Sequence, residues 1–295
     1  MTRRLFRQLL PLFLCCLAAG KACADNFADG EAHFLAKRYS ESIAPFTRAA
    51  DSGNARAQTL LGYIHEYGLD TPQDYAAAFS WYSLAAARKN ARAQFSIGQF
   101  YENGLGRPVD TARAISWYKK AAENGYDNAQ ARLGYIYYTG EYVPKDHAKA
   151  VHWLARAAAQ ENTFAEGMLG TCYFYGHGVK QDYSLALTWL HKAAAKNFPA
   201  AMTFLGSMYK TGSGVPQDNT RAMFWYGRAA MKDDPLACFE LARLYEEGKG
   251  VAINPRRARE WYEKAAALGN EKAQNRLAEI RAQATDPAKP AKEKP

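Results

Sequence analysis

Two short motifs have the residue types of an acyl-transferring serine site. Ser116-Trp117-Tyr118-Lys119 is an SxxK, in which a lysine one helical turn away can take up a serine proton, and Lys210-Thr211-Gly212 is a KTG. They are the two outlying pieces of a serine β-lactamase or penicillin-binding site, and an envelope hydrolase of that type is the alternative they raise. Such a site needs more. No SDN triplet is present, and a KTG works from a strand beside the nucleophile, whereas here Ser116 and Lys119 fall inside a helix and Lys210-Thr211-Gly212 at a helix stop. Metal chemistry has no better footing. His147 and His152 are five residues apart, not the four that stacks two imidazoles on one helix face, His177 reads as a loop residue, and His33 and His191 stand alone. The carboxylate pairs Asp233-Asp234 and Glu246-Glu247 fall at helix ends or turns, where solvated charge is the ordinary state. Nothing pairs a nucleophile with a base and an orienting third group. The sequence names no catalytic residue, no cofactor and no metal ligand.

The elements that carry these residues explain their placement. A leading alanine falls at 57, 93, 129, 165, 201, 237 and 273, a constant step of 36. Four residues on comes Leu-Gly or a close variant, as in Leu133-Gly134, then Tyr101, Tyr137, Tyr173, Tyr209 and Tyr245, each three residues before a glycine. Those glycines predict the left-handed residue that stops a helix. Glycine inside a helix costs about 0.5–1 kcal/mol relative to alanine, so Gly134 and its equivalents predict a crossing where another backbone comes close. After a short loop, Asp74, Asp110, Asp146, Asp182, Asp218 and Asn254 predict the N-caps of a second helix. All six tryptophans, Trp81, Trp117, Trp153, Trp189, Trp225 and Trp261, lie on its apolar side, each followed at four and five residues by Ala-Ala. One such pair cannot bury its own face, and stacked pairs form a continuous core.

The ends differ from the body. Residues 1–24 have Arg3, Arg4 and Arg7 before an apolar run and end in Ala22-Cys23-Ala24, the pattern of a secretory signal cleaved after Ala24. Export to the periplasm or medium is therefore expected, with no membrane span, and Lys21 argues against a lipoprotein signal around Cys23. Loss of Arg3, Arg4, Arg7 and Lys21 takes 38 basic residues to 34 against 29 acidic, a net +5, with no basic stripe suited to nucleic acid. Cys172 and Cys238 sit at different points of the repeat, which makes a disulfide between them improbable. Residues 25–54 outline a degenerate helix pair in which Pro45 takes the first tryptophan position and should kink or delay the second helix. Residues 271–284 supply a capping helix, and 285–295, rich in proline and lysine, read as a disordered tail.

The pattern that Ala93 to Ala122 approximates resembles the Sel1-like repeat, a relative of the tetratricopeptide repeat. Six full units are read at 55–90, 91–126, 127–162, 163–198, 199–234 and 235–270, behind the tetratricopeptide-like pair at 25–54. The resemblance implies an all-α fold, a right-handed superhelical solenoid of stacked helix pairs. Its first helices would line a concave surface that binds another protein or peptide, without catalysis; a monomer is expected. Some cysteine-rich relatives are associated with β-lactam binding, but their paired cysteines are missing here. Within each first helix, packing uses positions 0, +4, +5, +7, +8 and +11 from the leading alanine, which leaves +2, +6 and +9 as the exposed stripe. Read through the units, that stripe supplies the expected partner-binding residues Tyr63, Phe95, Gln99, Tyr135, Tyr138, Thr171, Phe174, Lys210, Phe239 and Arg243. Its aromatics concentrate at Tyr135, Tyr138 and Phe174, the residue type enriched at binding hot spots; the alternative is that these rings pack on neighbouring repeats.

Overall fold

A computed structural model describes residues 24–285; the expected signal apart from Ala24, and the expected tail apart from Thr285, lie outside the described residues. Fifteen helices and no strand occur among the described residues. Helix α1 covers 24–35 and α2 Tyr39–Asp51. Six pairs follow: α3 (Ala55–Tyr67) with α4 (Tyr75–Ala87), α5 (Ala91–Asn103) with α6 (Thr111–Glu123), α7 (Asp127–Thr139) with α8 (His147–Ala158), α9 (Thr163–Tyr175) with α10 (Tyr183–Ala195), α11 (Pro199–Thr211) with α12 (Asn219–Ala230), and α13 (Pro235–Glu247) with α14 (Pro255–Ala267). Helix α15 (Glu271–Thr285) closes the series. The chain divides into two compact units. Among the described residues, the first holds 24–136 with Gly140–Pro144, and the second Tyr137–Thr139 with 145–285.

Local chemistry sets the boundaries. Asp110 and Asp182 accept the Arg113 and Leu185 amides at 2.9 Å, satisfying donors that the start of a helix leaves open. First helices have caps of the same kind that the periodicity did not single out: Asn54, Asn90, Asn162 and Asp234. Gly104 ends α5 at φ 69°, where a residue with a side chain is disfavoured. Each loop then folds back on its helix: the amides of Asp110, Asp146, Asp182 and Asp218 donate to the carbonyls of Tyr101, Tyr137, Tyr173 and Tyr209 at 2.8–3.0 Å. Helix α2 starts at Tyr39 and runs through a buried Pro45, so the proline does not delay it as expected.

The core corrects two expectations. Gly62, Gly98 and Gly206 inside first helices receive a tyrosine ring, and Gly170 the Leu190 side chain, where the approach of a backbone was expected. A Cβ on Gly98 would lie 2.5 Å from the Tyr118 ring, and one on Gly206 would lie 2.7 Å from Tyr226. In the second helices, the buried aromatic is the residue after the tryptophan. Tyr82, Tyr118, Tyr226 and Tyr262 are almost wholly enclosed, with Leu154 and Leu190 in the same place in α8 and α10, while all six tryptophans are only half-buried. Consecutive helix residues point about 100° apart, so only one of the two can face the core. Five of the tryptophans, all but Trp81, instead lie under a cation one turn on: among these Lys120 is 4.0 Å from the Trp117 centroid, Arg156 4.9 Å from Trp153 and Lys192 4.3 Å from Trp189. Leu154→Ala is accordingly expected to cost about 2–5 kcal/mol and Trp153→Ala about 1–2 kcal/mol, the reverse of what ring size alone suggests; chemical denaturation of both variants checks the order.

Two ladders join one repeat to the next. Gln58, Gln94 and Gln130 donate to the Ala50, Ala86 and Ala122 carbonyls at 3.0–3.3 Å, capping the end of the preceding second helix. A second ladder links first-helix positions +9 and +3 of successive repeats, an offset of 30 residues. Glu102 pairs with Arg132, Lys210 with Glu240 and Glu246 with Arg276, while Phe174 meets Phe204 edge-on at 6.0 Å. Tyr82 and Tyr262 donate their hydroxyls at 2.6 Å to Glu66 and Glu246, and Tyr118 donates to Glu102, so α4, α6 and α14 are each tied to the carboxylate at +9 of their own repeat.

Candidate functional site

The stripe at +2, +6 and +9 is not a uniformly open row. Phe95 packs on Tyr118 and Tyr126 at 5.2 and 5.3 Å, and Phe239 packs on Tyr262 at 5.7 Å, so these two rings cover core tyrosines. Thr171 is 8% exposed and its hydroxyl donates to the Gly167 carbonyl at 3.1 Å, within its own helix. Lys210 is held by Glu240, and Arg243 by Glu247 at 2.8 Å and Glu240 at 3.7 Å. These five were expected to face a partner, but the structure gives them packing or ion-pair work, because the +9 to +3 ladder and the second-helix tyrosines need that side of the helix. Gln99 is half-buried. Tyr63 packs at a tilt on Tyr67 at 4.6 Å beside Phe34, with the Arg92 guanidinium 5.6 Å from its ring, and Tyr135 lies 5.5 Å from the Arg132 guanidinium.

Tyr138 and Phe174, by contrast, belong to one continuous run of rings inside the second unit. Tyr138 lies parallel to His147 at 5.2 Å, and His147 is 4.5 Å from His177. His177 Nδ1 is 3.1 Å from the Tyr138 hydroxyl, and Tyr175 is stacked over His177 at 5.3 Å. The run continues from Tyr175 to Phe174 at 4.9 Å and to Phe204 at 6.1 Å. Tyr175 is 52% exposed, which makes it the open face of the group.

Three elements assemble this cluster. Tyr138 is in the last turn of α7, His147 is the first residue of α8, and His177 sits just past the glycine that stops α9. Gly178 brings the last two together: at φ +75° its Cα rests against the His147 carbonyl, where a Cβ would collide with the backbone. Reading the histidines by helical spacing tested His147 against His152 and missed His177. The signal was in the ladder, since residues 147 and 177 are the same 30 apart as Glu102 and Arg132. Burial holds the His147 imidazole below the usual histidine range, and the nearby His177 and Lys145 push it the same way. Below the run, burial pushes the Cys172 thiol up to about 12; Cys172 and Cys238 are both free.

The two hydrolase motifs lie in different units, Ser116–Lys119 in the first and Lys210–Gly212 in the second. Ser116 and Lys119 are both exposed on α6, and the Lys210 ammonium is engaged by Glu240. Among the described residues no helix is long and apolar enough to cross a membrane.

The Sel1 repeat family matches six consecutive segments, residues 55–90, 91–126, 127–162, 163–198, 199–234 and 235–270. Among solved structures, a Sel1 repeat protein from Oxalobacter formigenes is similar at 33% identity and a TM-score of 0.75, over 82% of this chain and 96% of that one. A protective antigen present in uropathogenic Escherichia coli strains, with an SLR fold, is similar at 36% identity and a TM-score of 0.73 over 84% of this chain; this chain spans 53% of that antigen's length. An immunity protein from Pseudomonas aeruginosa shares the fold at 20% identity and a TM-score of 0.50, over 72% of this chain and 82% of that one. A search of curated proteins finds no match. With the repeated helix pairs, the periodic caps and these six segments in agreement, the chain belongs to the Sel1 repeat family of all-α repeat solenoids.

Proposed function

We propose that this protein is an exported, non-catalytic scaffold that holds a protein or peptide partner against the first-helix face of its third to fifth repeats. The observation that carries the reading is the run of rings from Tyr138 to Phe204, open at Tyr175, on a helix face whose other aromatics are engaged in packing. Rigid aromatic side chains of mixed polarity, set on helices that cannot shift, are what a binding hot spot requires. Sel1 repeats act typically in protein-protein interaction, which supports the class of function. The signal pattern of residues 1–24 supports a periplasmic or secreted location. The scaffold acts as a monomer.

Photo-crosslinking in the producing bacterium tests this, with the crosslinker placed at Thr211, an exposed residue at the position of Tyr175 one repeat on. Capture of a defined partner is expected, and Tyr175→Ala should reduce it at least about ten-fold, a hot-spot loss, with the melting temperature unchanged. Undiminished capture by Tyr175→Ala would place the partner elsewhere.

A further inference from the structure

Two imidazoles 4.5 Å apart within a surface run of aromatic rings need a reason. Their surroundings in the second unit are short of negative charge. From α7, His147 is faced by the Tyr138 ring and carbonyl; from its own segment by Lys145 and Asp146; and from α9 and the loop after it by His177. His177 is faced by Tyr138, Tyr175 and His147. Asp146 is already engaged, accepting the Lys149 amide at 2.9 Å and its ammonium at 2.8 Å, and Asp182 caps α10. Lys145 and Lys180 are exposed, and neither forms an ion pair among the described residues. The cluster thus has Lys145 beside it, an aromatic floor, and at its centre two imidazoles 4.5 Å apart.

From this arrangement we infer that the face binds an acidic peptide segment with interspersed apolar residues, one carboxylate set between His147 and His177, and that it binds more tightly as pH falls below neutral. The inference rests on the scaffold reading and names its partner and its control. With no partner bound, protonating His147 places a cation against the His177 ring and near Lys145, in a partly desolvated place. A carboxylate between them removes that repulsion and favours the protonated form, so binding takes up a proton. By linkage, affinity then rises as pH falls from the histidine pKa of the complex toward that of the free protein, while the ligand's own carboxylates stay ionised above about pH 5.

The test uses the purified protein and fluorescein-labelled peptides of about twelve residues that alternate Glu and Phe, with matched peptides carrying Gln or Lys for Glu, read by anisotropy. The Glu peptide is expected to bind about ten-fold more tightly at about pH 5.5 than at about pH 7.5, the effect of one pKa unit, while the Gln peptide changes little. In a His147→Gln, His177→Gln double variant the ratio between the two pH values should fall to about one, with helicity checked by circular dichroism. An affinity for the Glu peptide that does not change with pH, equal binding of the Glu and Lys peptides, or tighter binding of an anionic polysaccharide such as polygalacturonate each overturns the inference. The scaffold reading stands or falls separately, on the effect of Tyr175→Ala on crosslinked capture.

Discussion

Replacing Tyr118 by alanine is expected to destabilise the chain by about 3–5 kcal/mol, several times the loss for the adjacent Trp117→Ala. Tyr118 has no exposed surface, and its ring fills the notch left by Gly98. Removing it leaves a cavity between α5 and α6 that neither helix can collapse into, because both are held by their neighbours on the other side. Its hydroxyl also donates to Glu102, so Tyr118→Phe should cost about 1–3 kcal/mol with the ring kept, by leaving that half-buried carboxylate one donor short. Trp117 is half-buried and lies under Lys120, so its loss exposes less and empties less. Urea unfolding of the three variants decides the matter; equal losses at 117 and 118 would sink the assignment of Tyr118 as the wedge of that repeat.

The second large effect is expected at Arg132, whose guanidinium pairs with Glu102 across a junction where the Glu102 side chain is 11% exposed. Arg132→Met should cost about 2–4 kcal/mol at neutral pH, since it strands a carboxylate that has left water. The pH dependence has a built-in control. Burial pushes the Glu102 carboxyl up, but hydrogen bonds from Arg132 and Tyr118 outweigh it, and the group ends below its ordinary range. Glu66 is the same position one repeat earlier. Ser96 stands there in place of an arginine, and burial leaves Glu66 above its ordinary range in spite of Tyr82. A lowered carboxyl stabilises the fold above its unfolded pKa, and that contribution is lost as pH falls through the folded value. A raised one stabilises below its unfolded pKa, and its contribution is lost as pH rises through the folded value. Arg132→Met converts Glu102 from the first kind to the second. The deficit against the parent should therefore shrink as pH drops from about 7 to about 3.5, and a deficit that grows on acidification would contradict the linkage.

Much of this fold is legible in the sequence because its punctuation is chemical. Asp110 can only be a cap and Gly104 a stop if a helix ends and another begins between them, and the step of 36 repeats that statement down the chain. What faces inward was harder to read. Trp117 and Tyr118 are neighbours on one helix and both large, so hydrophobicity does not choose between them. The choice shows in two companions, the cation three residues after the tryptophan and the glycine twenty residues before the tyrosine, as Gly62 stands to Tyr82 and Gly206 to Tyr226. The candidate site was half legible. Tyr138 and Phe174 stood out because they break the pattern of Glu and Lys at +9. His147 and His177 did not, because their contact depends on how one repeat's loop rests on the preceding repeat's second helix, and helical periodicity carries no information about that. Lys210 and Thr171 read as surface because their partners lie in the next repeat or in their own backbone.

The ladder between positions +9 and +3 also bears on how such a protein can change length. Repeat proteins gain and lose whole modules by recombination between near-identical segments, and each surviving junction must then accept a new neighbour. Here the junctions carry different keys: ring on ring at Phe174 and Phe204, lysine on glutamate at 210 and 240, glutamate on arginine at 246 and 276. Loss of residues 199–234 would set Phe174 against Glu240, and loss of 235–270 would set Lys210 against Arg276. The order of the last repeats is therefore written into their contacts, and a lineage that drops one of them inherits a mismatched joint along with the shorter chain.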